Sequence, residues 1–156
     1  MRAPTLLFVC TGNICRSPMA AAVAADVAKR HNLELEIESA GTGAFPGDPA
    51  TDRAREVLAS LGLSLDAHRS RPVDVNMIGR ATLVVCATGR HRDSLSAMFP
   101  SAADKIRSYD ELTGLGDIPD PIGADIEQYE TVKDMLVRGM PSVVAALQVA
   151  QARKEN

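Results

Sequence analysis

The sequence predicts an α/β fold: a single three-layer domain over residues 1–156, with a central parallel four-stranded sheet flanked by helices. Three observations carry this. Thr5–Val9 and Leu83–Ala87 are continuous apolar runs, as strands buried on both faces require. Segments of helical period alternate with the strands, the pattern of crossover connections in a parallel sheet. The chain is long enough for a substantial core, and its 46% hydrophobic and 24% charged residues suit a globular domain.

Thr5–Val9 is the first strand. Ser17 is placed to cap a helix and Pro18 to occupy its first position, and the helix runs through Met19 to about Arg30. Leu33, Leu35 and Ile37 alternate with Glu34, Glu36 and Glu38, which reads as an edge strand with one wet face. Ser39 to Pro49, with Gly41, Gly43, Pro46 and Gly47, reads as loop. From Asp52 to Leu61 the residues Ala54, Val57, Leu58 and Leu61 form one helical face that stops at Gly62. Leu83–Ala87 is a second central strand. His91–Met98 is a short helix ending before Pro100, and Lys105–Ser108 a short last strand. Thr113 to Ala124 is a Gly/Pro-rich loop. Ile126 to Ala150 is helical, with Gly139-Met140-Pro141 in its middle. Proline removes a helix hydrogen bond, so a kink or two abutting helices are expected there. No internal repeat, linker or low-complexity tract interrupts the pattern.

A net charge of −3 gives no bulk attraction for nucleic acid. No run of 18 apolar residues is present, so no membrane span is expected. Met1-Arg2-Ala3-Pro4 leads straight into the first strand, which argues against a cleaved signal peptide. Cys10, Cys15 and Cys86 are an odd count with no C-x2-C unit, so a reducing cytoplasm is the expected location. Cys86 lies in an apolar run and reads as core. His31 and His91 read as exposed helix residues. The three scattered histidines suggest no metal site, and no cofactor is expected. With 3% aromatic residues and no Trp, aliphatic and alanine packing must fill the core. A monomer is expected.

The segment Val9-Cys10-Thr11-Gly12-Asn13-Ile14-Cys15-Arg16-Ser17-Pro18 carries the chemistry. It places a cysteine at a strand end, an arginine six positions later and a helix start just beyond. A short loop of this kind can turn its backbone N–H groups inward and, backed by a helix N-terminus, hold a dianion. The Arg16 fork adds charge-assisted bonds to phosphate oxygens. The same positive field favours the thiolate of Cys10 as a nucleophile. A cysteine that merely packs at a strand end would account for Cys10 but not for Gly12, Asn13, Arg16 and Ser17 around it. On spacing alone, Ser17 serves equally as a helix cap or as a hydroxyl donor to the Cys10 thiolate.

This loop resembles that of the low-molecular-weight protein tyrosine phosphatases, C-x5-R-[ST], in its longer form C-x-G-N-x-C-R-S-P. The resemblance spans roughly Leu6 to Leu147. It implies hydrolysis of phosphotyrosine in proteins through a cysteinyl-phosphate. Cys10 is then the nucleophile, Arg16 the phosphate clamp, and Thr11 to Ser17 the phosphate-binding loop, with Ser17 donating to the Cys10 thiolate. Asp120, in Asp120-Pro121, resembles the family's general acid and base. Asp117 is the competing candidate but lacks the following proline. Asn13 resembles the residue that holds the loop in shape, braced by Ser39 and His68. Otherwise, His68 is a surface histidine beside Arg69 and Arg71. Cys15 matches the cysteine that traps an oxidised nucleophile as a reversible Cys10–Cys15 disulfide.

The substrate wall departs from the usual family pattern. Asp120-Pro121-Ile122-Gly123 resembles the D-P-F-G form of the protein arginine phosphatase branch rather than D-P-Y, and Thr88 stands where tyrosine phosphatases usually carry aspartate. Ile14, inside the loop, and Phe45 match the tyrosine phosphatases instead. Ile14 touches the reacting group, so phosphotyrosine is the expected substrate and phosphoarginine the alternative. With Ile122 in place of a ring, weak aryl stacking and modest affinity for small aryl phosphates are expected. Arsenate reduction would need two further redox cysteines, and only Cys86 lies outside the loop. A non-catalytic phosphate-binding module would be expected to have lost Cys10, Arg16 or Asp120.

Overall fold

The computed structural model describes residues 2–156. Four parallel strands, β1 (Thr5–Cys10), β2 (Glu36–Gly41), β3 (Leu83–Cys86) and β4 (Ile106–Ser108), form one sheet in the order β2-β1-β3-β4. The two fully apolar runs are the two central strands, as their composition requires. Alternate residues of β1 feed opposite faces of the sheet. Leu6 and Phe8 join the cluster built by α1 (Arg16–Arg30), α2 (Asp52–Ala59), α5 (Tyr109–Thr113) and α6 (Ile126–Glu155). Leu7 and Val9 join the smaller cluster with Met77 and Ile78 of α3 (Val75–Arg80) and Leu95 of α4 (Gly89–Met98). Helices thus cover both faces, giving three layers. Alanines 20, 24 and 28 share the buried face of α1 with Met19, Val23 and Val27, so aliphatic packing replaces the missing aromatics.

Several elements differ from the sequence reading. Helix α1 begins at Arg16, so Ser17 and Pro18 lie inside its first turn; Cys15 is the N-cap and makes no side-chain cap bond. Strand β2 starts at Glu36 rather than Leu33 and continues through Ser39-Ala40-Gly41, which reads as loop in sequence. Leu33 and Leu35 instead pack against the main cluster from irregular backbone. The small residues at the end of β2 serve a close approach: a side chain at Gly41 would run into the Thr11 carbonyl oxygen and come within 2.9 Å of the Ala44 Cβ. Helices α3 and α5 are absent from the sequence reading, and a 3₁₀ turn covers Pro100–Lys105.

Helix α6 is continuous through Pro141 over 30 residues, so the expected pair of abutting helices is not formed. The Gly139 position instead admits the Tyr109 phenol. Its hydroxyl donates to the Met135 carbonyl at 2.6 Å and faces the Gly139 N–H, two groups four residues apart in the helix ladder. Glycine is required by space: a Cβ there would lie 2.7 Å from the Tyr109 Cζ and 2.9 Å from the Thr113 Cγ2.

Candidate active site

Strand β1 ends at Cys10, at the carboxyl edge of the sheet where open α/β folds bind ligands. The chain then turns through residues 11–15 into α1. Asn13 makes that turn with φ 56°, a left-handed conformation that asparagine tolerates better than most residues. Its side chain is fully buried and fully used. The amide donates to Ser17 Oγ at 2.7 Å and to Ser39 Oγ at 3.0 Å, and its oxygen accepts from the Arg71 N–H at 3.0 Å. His68 Nε2 donates to the Asn13 carbonyl at 2.7 Å. The bracing role of Ser39 and His68 thus has its geometry, although His68 grips the backbone of Asn13 rather than its side chain. Burial, reinforced by Arg71 and Arg69, holds the His68 pKa below the ordinary histidine range, against the pull of the Asn13 carbonyl.

Ser17 lies inside the first turn of α1 and not at its cap. Its Oγ lies 2.9 Å from Cys10 Sγ and caps no helix. Asn13 donates to the Ser17 oxygen, and the Ser17 hydrogen has two acceptors within reach, Cys10 Sγ and the Ala40 carbonyl at 3.4 Å. The Asn13 N–H also faces Cys10 Sγ, at 3.3 Å. The remainder of the loop is pinned by main-chain bonds. Thr42 N–H donates to the Cys10 carbonyl and Gly43 N–H to the Thr11 carbonyl, both at 2.9 Å, while Thr51 N–H donates to the Ile14 carbonyl at 3.0 Å.

Arg16 is buried at 6% exposure and bridges two loops. One guanidinium nitrogen donates to the Ile118 carbonyl at 3.0 Å, and another lies 3.7 Å from the half-exposed Asp120 carboxylate. Asp120 is steadied by the Ile122 N–H at 3.1 Å. Asp117 points elsewhere, its carboxylate accepting from the Gly89 N–H at 3.1 Å at the start of α4. A cleft of about 230 Å³ results, lined by residues 10–16 together with Asp120 and Ile122. Phe45 is not among the lining residues and is 77% exposed.

Cys15 lies within the buried core beside the cleft, its Sγ 3.5 Å from both Thr51 Oγ1 and Tyr129 Oη. Burial pushes its thiol pKa up, against those two hydrogen bonds. Cys86 is fully buried in β3, and burial pushes its thiol up to about 12. That environment suits a packing residue and leaves it no part in a redox relay. Among the described residues no cluster of three or more His, Cys, Asp or Glu side chains could hold a metal ion.

Sequence reasoning missed Thr51, Tyr129, Arg71 and His91. Arg71 acts on Asn13 through its N–H, while its guanidinium reaches the Ser39 carbonyl and Glu38. A main-chain donor leaves no residue-type signal. His91 is half-buried rather than exposed, and its ring lies between Thr11 and Thr88.

The arrangement places the Cys10 sulfur, the loop that follows it, a buried guanidinium and a carboxylate around one cleft. The family model for low molecular weight phosphotyrosine protein phosphatases matches residues 5–153. A protein-arginine-phosphatase of Bacillus subtilis is 38% identical over 133 residues, covering 84% of this chain and 88% of that protein. The low molecular weight protein-tyrosine-phosphatase Wzb of Escherichia coli is 33% identical over 146 residues, covering 94% and 97%. The crystal structure of a low molecular weight protein tyrosine phosphatase from T. tengcongensis superposes with a TM-score of 0.88 at 35% identity, covering 92% of this chain and 99% of that one. A family match over nearly the whole chain and a cleft built on the matching loop lead to one conclusion: the chain belongs to the low molecular weight phosphotyrosine protein phosphatase family.

Proposed function

We propose that this protein hydrolyses phosphotyrosine in protein substrates through a cysteinyl-phosphate intermediate. The supporting observation is the convergence of Cys10, Arg16 and Asp120 on one cleft at the carboxyl end of β1. Cys10 attacks phosphorus in line, forming the S–P bond as the P–O bond to the tyrosyl oxygen breaks. Backbone N–H groups of the loop and the Arg16 guanidinium hold the three phosphoryl oxygens. Asp120 gives its proton to the leaving oxygen, then takes one from the water that attacks the phosphocysteine and releases phosphate. Asp120→Asn is expected to lower kcat on a phosphotyrosine peptide by about 10²–10⁴-fold, whereas Asp117→Asn leaves it within a few-fold.

Half-buried Ile14 and exposed Ile122 give the cleft an apolar lining suited to an aryl ring. Phe45, exposed on the loop whose Gly43 N–H bonds the Thr11 carbonyl, is the further wall residue of this reading. Phosphoarginine is the second reading, favoured by the Asp120-Pro121-Ile122-Gly123 segment, by Thr88, and by relatedness to an arginine phosphatase. The deciding experiment compares hydrolysis of phosphotyrosine and phosphoarginine peptides, with Cys10→Ser as the blank. Preference for phosphotyrosine supports Ile14 as the selecting residue. Preference for phosphoarginine replaces the substrate and keeps the mechanism. Activity surviving in Cys10→Ser overturns the mechanism.

The protein acts in the reducing cytoplasm, where its free cysteines stay thiols. It works as a monomer, since one chain supplies the cleft. Peroxide silences it reversibly: oxidation of the Cys10 thiolate gives a sulfenic acid, which condenses with the Cys15 thiol, losing water, to a disulfide that an external dithiol reduces.

A further inference from the structure

We propose that His91 is a positioning residue that fixes the Thr11 hydroxyl on the wall of the phosphate cleft, where Thr11 hydrogen-bonds the substrate beside its phosphoryl group. The inference rests on the phosphatase reading above. Thr11 follows the nucleophile directly, is exposed, and lines the cleft. His91, 80 residues away, brings Nε2 to 2.7 Å from Thr11 Oγ1 and Nδ1 to 2.7 Å from Thr88 Oγ1. Thr88 is itself fixed as the N-cap of α4, its Oγ1 accepting the His91 N–H at 3.2 Å. The loop after β3 therefore holds the imidazole at both ends, and the imidazole holds Thr11.

The direction of the chain follows from counting hydrogens. The charged groups that act on His91 are Arg16, Asp120, Asp117 and Arg90. Burial, then Arg16, keep the ring below the ordinary histidine pKa, so it is neutral near pH 7, donating from one nitrogen and accepting at the other. Thr88 Oγ1 already accepts a main-chain N–H. Its own hydrogen then goes to Nδ1, and the Nε2 hydrogen goes to Thr11 Oγ1. The Thr11 hydroxyl hydrogen is left without a partner among the described residues, and a bound substrate can take it. The reverse direction would instead leave the hydrogen of half-buried Thr88 without a partner among the described residues, at the cost of an unmade hydrogen bond.

Thr11→Val removes the hydroxyl at nearly constant volume. KM for a phosphotyrosine peptide is expected to rise about three- to tenfold, with a smaller change in kcat, as loss of a ground-state hydrogen bond requires. His91→Ala produces the same rise, and the double variant is no worse than either alone. His91→Gln, whose amide nitrogen stands where Nε2 does, restores most of the affinity; His91→Asn, which reaches only toward Thr88, does not. Ring ¹⁵N shifts of the wild-type protein report the Nε2–H tautomer without any turnover. KM effects that multiply in the double variant, a Gln variant as poor as Ala, or an Nδ1–H tautomer each overturn the proposal. If His91→Ala fails to fold, Thr11→Val and the Gln/Asn pair carry the same comparison. A wild-type protein that hydrolyses neither phosphopeptide sinks the phosphatase reading instead, and the tautomer measurement still stands.

Discussion

The Ser17 hydroxyl lies 2.9 Å from the Cys10 sulfur, with its oxygen already occupied by the Asn13 amide. The one hydrogen Ser17 has to give can go to the sulfur or to the Ala40 carbonyl at 3.4 Å, and the sulfur is the stronger acceptor when it carries charge. A hydrogen bond to a charged group contributes about 1.5–3 kcal/mol. Ser17→Ala is expected to lower kcat on p-nitrophenyl phosphate by about 10- to 150-fold. Retention of most of the parental kcat would reduce Ser17 to a packing residue.

His68 links the loop to pH. Its folded-state pKa is depressed by burial, so the folded protein resists a proton that the unfolded chain accepts near the ordinary value of about 6.5. Above that value both states are neutral and the brace to Asn13 contributes in full. As pH falls below it, only the unfolded chain binds the proton, and stability is lost until folded His68 also titrates. His91 is depressed in the same direction and adds to the loss. Urea midpoints are expected to fall between about pH 7.5 and pH 5.5, and His68→Gln to shrink the difference. An unchanged pH difference in His68→Gln would exclude His68 as its source.

The parts of the site written as consecutive residues were legible. The Cys10 loop, the Asp120-Pro121 pair and the central strands each carry a local pattern of spacing or hydrophobicity. What escaped has no local pattern. The Arg71 bond to Asn13 uses a main-chain N–H that any residue but proline offers. His91 gains its place only because β1 and β3 are neighbours in the sheet, with Val9 opposite Cys86. Ser39, Ala40 and Gly41 read as loop because small size, not hydrophobicity, is what the approach to Thr11 demands. Helix α5 is too short for periodicity, yet the capping box of Ser108 and Glu111 announces its start in the sequence.

Cys15 gives the redox prediction a physical baseline. Its sulfur faces Thr51 and Tyr129, and burial keeps it protonated in the resting protein. It is thus spared direct oxidation and available to a sulfenic acid on Cys10. After peroxide treatment the wild-type protein is expected to recover with dithiothreitol, while Cys15→Ser advances to irreversible oxidation of Cys10 and stays inactive. Full recovery of Cys15→Ser would end the disulfide proposal.

Gly139 supplies a prediction opposite in sign to helix propensity. In an exposed helix, alanine would outdo glycine by about 1 kcal/mol. At this position the Tyr109 phenol occupies the space of the missing side chain, with its Cζ 2.7 Å from where a Cβ would be. Tyr109 is fully buried and its hydroxyl donates to the Met135 carbonyl, so it has no easy path of retreat. Overpacking of this kind costs about 1–3 kcal/mol, and displacing the hydroxyl loses its hydrogen bond to Met135. Gly139→Ala is expected to destabilise by about 2–4 kcal/mol in urea unfolding. Tyr109→Phe, which loses the hydrogen bond but adds no clash, is expected to cost only about 1 kcal/mol. A Gly139→Ala protein as stable as the parent would mean that α6 shifts past Tyr109 without loss, and that the close approach at Gly139 is not what ties α5 to α6.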